Sequence, residues 1–122
     1  MLDFKKLFKS FGFAFEGIRL ALVYNQNLRI DFLAAIIVIV LSVIFKVNAF
    51  EMGILGVMIL LVICTEMINT AIEEVVDLLV SEHREQAKIA KDVSAGMVLL
   101  TAIGSLIVGF LVFTPYILKL FK

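Results

Sequence analysis

The chain has 122 residues, of which 11 are basic and 11 acidic, for a formal net charge of zero, and 62% are hydrophobic. With a mean hydropathy of +1.10 and a single proline, it lies far above the apolar content of soluble domains. That composition excludes a soluble globular protein and predicts an all-α integral membrane protein, for which no nucleic-acid partner is expected.

Residues 1–27 form the first predicted element. Phe4, Leu7, Phe8, Phe11, Phe15, Ile18 and Leu22 recur at helical spacing, with Lys5, Lys6, Lys9, Glu16 and Arg19 between them. This pattern predicts an amphipathic helix on the membrane surface, either as an anchor or as a lid over a nearby site. No long apolar core with a small-residue cleavage site follows, so it does not read as a signal peptide.

Three spans follow, at about 28–47, 50–80 and 86–118. Residues 32–45, 52–65 and 93–118 carry no charge. The third run crosses a bilayer easily, since 26 residues at about 1.5 Å each make about 39 Å of helix. The first two runs have 14 residues each, or about 21 Å, and must borrow a turn or two from flanking polar residues. In the third span Thr101, Ser105 and Gly109 repeat every four residues, a small-residue face that lets helices approach closely.

For the second span the borrowed turns contain Glu66, Asn69, Glu73 and Asp77, spaced 3, 4 and 4. At about 100° per residue these share one narrow stripe. A charge at the bilayer centre costs about 2.5 to 3.5 kcal/mol, so the stripe must face partners, a cation or a water-filled cavity rather than lipid. Three spans enclose little interior, which argues that other copies of the chain supply the facing surfaces.

Basic residues set the orientation. Residues 1–31 hold Lys5, Lys6, Lys9, Arg19 and Arg29, and the loop after the stripe holds Arg84, Lys88 and Lys91. Only Lys46, Lys119 and Lys122 belong to the other side. The positive-inside rule therefore puts the N-terminus and the 81–92 loop in the cytoplasm, and the stripe at the cytoplasmic end of its helix.

Lone Cys64 reads as a small apolar filler, and His83 as a solvated loop residue. A carboxylate strip beside a loop with Lys88, Lys91 and Asp92 has the parts for phosphoryl transfer: oxygen ligands for a hard cation and amines for phosphates. No P-loop and no soluble-kinase signature is present. From the residues alone, a proton or cation carrier stands level with a lipid-modifying enzyme, since both need carboxylates at depth.

The segment Glu66-x-x-Asn69-Thr-Ala-Ile-Glu73-x-x-Val-Asp77, followed by Lys91-Asp92 in Ala-Lys-Ile-Ala-Lys-Asp-Val-Ser-Ala-Gly-Met-Val-Leu-Leu, resembles the prokaryotic diacylglycerol kinase family, whose members include undecaprenol kinases. Gly17-Ile-Arg19, Asn27-Leu-Arg29-Ile and the order of the helices extend the resemblance over nearly the whole chain. It implies a single membrane lipid kinase domain over 1–122, with a surface helix and three transmembrane helices, assembled as a homotrimer with shared active sites in the bacterial cytoplasmic membrane. Such an enzyme uses Mg-ATP to phosphorylate a lipid alcohol.

The resemblance further implies Glu66 as general base, Glu73 as a metal-binding carboxylate, and Asn69, Asp77, Glu82, Lys91 and Asp92 as nucleotide-site residues. The family usually carries a metal-binding Glu where this chain has Asn25. Lys6 and Phe13 stand at nucleotide-site positions where some relatives have Arg and Tyr. The segment around Lys91 and the ending Gly109-Phe-Leu-Val-Phe-Thr-Pro115 are more similar to the undecaprenol-phosphorylating branch. The alternatives are a weakly active or non-catalytic member of the family, or a small cation-handling oligomer.

Overall fold

The structure is a computed structural model describing residues 1–122. Four helices follow one another: α1 (Phe4–Tyr24), α2 (Gln26–Ile44), α3 (Ala49–Leu79) and α4 (Glu85–Lys119). The last three, of 19, 31 and 35 residues, are each long and apolar enough to cross a membrane. Only 12 of 122 residues are buried within the chain, so its apolar faces need lipid or other chains to cover them.

Asn25 breaks the first two helices apart. Its backbone is extended, with φ −115° and ψ 108°. Its N–H closes α1 on the Ala21 carbonyl, at 2.9 Å, and its Oδ1 accepts from the N–H groups of Asn27 (2.9 Å) and Leu28 (3.3 Å) to cap α2. One residue thus ends one helix and starts the next. Arg29 completes the joint, because its Nη1 donates to the carbonyls of Leu22 (2.7 Å) and Val23 (2.9 Å), which the helix end leaves without partners. Beneath it sits Leu28, the one fully buried large side chain, in a cluster with Ala21, Ala35 and Ile63. That cluster fastens α1 and α2 to α3.

Along α1, Phe4, Phe8, Phe11 and Phe15 remain exposed in a single stripe. On its polar side, Arg19 hydrogen bonds to Glu16 and holds that carboxyl below its ordinary pKa.

α3 and α4 pack side by side as the main pair of the bundle. Gly104 of α4 faces the end of Met58 on α3, and the Thr65 and Thr101 hydroxyls meet at 3.0 Å across the seam. At the far end Val47, Leu55 and Val112 form a second cluster, with Phe45, Phe113 and Tyr116 against it. There α2 turns into α3 through a Schellman motif. Val47 N–H bonds to Ser42 O (3.0 Å) and Lys46 N–H to Val43 O (3.2 Å), while Lys46 takes φ 53°. Glycine is the usual residue in that left-handed position. A side chain there costs about 1–2 kcal/mol, partly offset by the lower entropy of a non-glycine unfolded chain. Replacing Lys46 by Gly is therefore expected to stabilise the protein by about 1 kcal/mol, measured as a shift in the denaturant midpoint in one detergent.

Candidate active site

The stripe on α3 descends from a buried to an exposed environment. Glu66 is 2% exposed and Asn69 8%; Glu73 and Asp77, one and two turns further along, are exposed. A buried carboxylate requires donors. Glu66 Oε1 accepts from Asn25 Nδ2 at 2.8 Å, and the same amide donates to Thr70 Oγ1 at 2.7 Å. Thr70 in turn donates to the Glu66 carbonyl at 3.0 Å. The residue at the joint of α1 and α2 therefore reaches across to the buried carboxylate of α3.

A second chain of bonds runs from α4. Ser94, 3% exposed, donates through Oγ to Asn69 Oδ1 at 2.6 Å. This fixes which way the amide faces, so Asn69 Nδ2 points to Glu73 Oε1, at 3.3 Å. Lys91 Nζ lies 2.5 Å from Asp77 Oδ1, joining the end of α3 to the start of α4, and Lys88 Nζ lies 2.6 Å from Asp92 Oδ2. Partly exposed pairs of this kind add little to stability. Their lysines are accordingly available to an incoming anion.

Two concavities adjoin these groups. A polar cleft of about 440 Å³ is lined by Asp77, Glu82, Lys91 and Asp92, together with His83, Arg84 and Lys88. An apolar groove of about 430 Å³ runs between α2, α3 and α4, lined by residues such as Ala34, Val38, Met58 and Phe110. Leu55, Ile59 and Val62 of α3 also line it. They precede Glu66 at spacings of 4, 3 and 4, so the groove follows the helix face that ends at the buried carboxylate. Asp31 is its one charged lining residue, and Asp31 Oδ2 is buried without a partner.

The structure thus links Asn25 with Glu66, Asn69 with Glu73, and Asp77, Glu82, Lys91 and Asp92 around one cleft. Lys6 and Phe13 are exposed on α1, and no hydrogen bond joins their side chains to the others. No group of three or more Asp, Glu, His or Cys side chains converges within the chain, and the Asn25 oxygen is occupied by the α2 cap. One chain alone therefore does not assemble a carboxylate cage for a divalent cation.

Thr70, Ser94, Arg84 and Asp31 join the site without having been singled out as site residues. Ser94 carried one signal, a hydroxyl at the head of an apolar span one turn beyond Lys91. Thr70 carried none beyond standing one turn after Glu66.

Comparison with known proteins gives a consistent picture. A family model described as prokaryotic diacylglycerol kinase matches residues 12–113. A diacylglycerol kinase of Synechocystis is 39% identical over 115 residues, which are 93% of this chain and 66% of that longer protein. An undecaprenol kinase of Bacillus subtilis is 34% identical over 113 residues, covering 93% of this chain and 92% of its own. A diacylglycerol kinase of Escherichia coli is 31% identical over 104 residues, 85% of each chain.

Replacing Ser94 by Ala removes the donor to a buried amide oxygen. Leaving such a group unpaired costs about 1–3 kcal/mol, so Ser94→Ala is expected to lower the unfolding free energy by that amount in an equilibrium denaturation measurement.

Proposed function

We propose that the chain, which belongs to the prokaryotic diacylglycerol kinase family, transfers the terminal phosphate of ATP to the hydroxyl of a membrane lipid, undecaprenol or a diacylglycerol. The observation that carries this reading is Glu66, a carboxylate buried one turn beyond Val62, the last residue of α3 to line the apolar groove. The groove suits a hydrocarbon tail, and the cleft lined by Arg84, Lys88 and Lys91 suits a polyphosphate. A cation-handling oligomer would need neither concavity, and family membership favours the kinase.

Glu66 holds one oxygen on Asn25 and leaves the other to accept the proton of the lipid hydroxyl. As that O–H bond breaks, the lipid oxygen bonds to the γ-phosphorus, and the bond from phosphorus to the β-bridging oxygen breaks to release ADP. The barrier of such a transfer is lowered mainly by position and by charge. Lys91 would leave Asp77 for the phosphates, with Asp92 and Glu82 lining the nucleotide side and Asn69 orienting Glu73. Mg²⁺ bound with the ATP phosphates would supply charge neutralisation. Glu73, exposed on the same helix face, is the carboxylate of this chain that would hold it, and neighbouring copies would complete the ligand set.

Those copies are supported by the many apolar side chains left uncovered, and a homotrimer with shared sites is the assembly we assign. The excess of basic residues at this end supports a cytoplasmic position for it and for the N-terminus, and the phenylalanine stripe of α1 would lie in the membrane interface.

With ATP labelled at the γ-phosphate, Mg²⁺ and each lipid in mixed micelles, the purified protein is expected to label at least one of the two. Label in neither lipid contradicts the reading. Glu66→Gln removes the base while keeping a hydrogen-bonding side chain of the same size, and is expected to slow transfer by about 10² to 10⁴ with nucleotide binding retained in a filter or fluorescence assay.

A further inference from the structure

We infer that Asn25 is a positioning residue for the transfer, acting through Glu66. The inference rests on Glu66 being the base, but its grounds are separate. The side chain of Asn25 is spent entirely inside the chain. Oδ1 takes the N–H groups of Asn27 and Leu28, and the two amide hydrogens go to Glu66 Oε1 and Thr70 Oγ1. Turning the amide over would set its oxygen against the Glu66 carboxylate and its NH₂ against two backbone donors, so the orientation is determined from both ends.

The mount behind it is stiff. Arg29 pins the last carbonyls of α1, the Asn25 N–H is bonded to Ala21, and Leu28 is buried directly below. Glu66 is therefore held from outside its own helix by a group that cannot rotate. With Oε1 fixed at 2.8 Å from the amide, the second carboxylate oxygen has a set direction towards the lipid hydroxyl. Fixing the general base in this way acts on the chemical step. It does nothing for the nucleotide, whose cleft lies on the far side of Asp77.

A purely structural role for Asn25 would be that of helix cap, and Asp caps a helix as well as Asn does. Asn25→Asp consequently separates the two roles. It preserves shape and cap but turns the donor facing Glu66 and Thr70 into an acceptor. We expect kcat to fall about 10- to 100-fold, the scale of a base displaced by about an ångström, with the KM for Mg-ATP within about twofold of the parent, and stability to fall as well, because Glu66 loses its donor and meets a second carboxylate.

Thr70→Val frees one side of the amide and is expected to lower kcat several-fold with the same unchanged KM, which keeps the inference testable if Asn25→Asp does not fold. On a Glu66→Gln background, Asn25→Asp should cause no further loss, because its effect passes through the missing carboxylate. Parental kcat in Asn25→Asp, or a lowered Mg²⁺ requirement with kcat intact, overturns the inference, the second in favour of a side chain that faces the cation. Further loss on the Glu66→Gln background overturns it as well. Failure of the base assignment shows separately, as parental kcat in Glu66→Gln alone.

Discussion

A carboxylate buried among apolar helices is the constraint around which this molecule is organised. Glu66 is 2% exposed, and an ionisable group at such depth is retained only where donors meet it and where it serves a purpose. α3 cannot supply those donors itself, since its backbone N–H groups are committed to the helix. They come from elsewhere, which is why the chain breaks at Asn25 and why the break sits over α3. The same logic explains Ser94. The amide of Asn69 is buried one turn beyond Glu66, and its oxygen needs a donor from α4.

The remaining elements hold these crossings in register. The α3–α4 seam is set by the Thr65–Thr101 pair and by the close approach at Gly104, and the Lys91–Asp77 pair closes it at the polar end. The Schellman turn and the Val47, Leu55 and Val112 cluster close the opposite end. Between the ends the bundle stays open along one side, and the apolar groove results. On the proposed reading, an enzyme acting on a lipid from within the bilayer needs such an opening, while its nucleotide meets it in water. The descent from buried Glu66 to exposed Asp77 along a single helix face provides both environments within about three turns.

Much of this was legible in the sequence. The uncharged runs mark the three long helices, and the spacing of Glu66, Asn69, Glu73 and Asp77 places them on one face, as the structure has them. Family motifs carried the reading from a carboxylate site to a lipid kinase, a step that periodicity could not take. Other features were hidden for physical reasons. The sequence puts the boundary between the surface helix and the first span at 27/28, close to the break that the structure has at Asn25, but nothing local shows what else Asn25 does. A cap acting simultaneously on a residue 41 positions away leaves no local trace. Ser94 likewise becomes informative only when α4 is laid against α3, and Asp31 only when the groove is seen to pass it. Asn25 drew notice as a departure from the family, but its full engagement inside the chain is visible only in three dimensions.

The central claim is that Glu66 is kept for chemistry and that folding tolerates it. Equilibrium unfolding of Glu66→Gln beside the parent, in the same detergent and with lipid phosphorylation measured on the same samples, tests this directly. Gln can still accept from Asn25 and carries no charge to desolvate, so the account predicts an unfolding free energy equal to or above that of the parent, with transfer lost. A Glu66→Gln protein that is destabilised by several kcal/mol yet still phosphorylates lipid at the parental rate would contradict it.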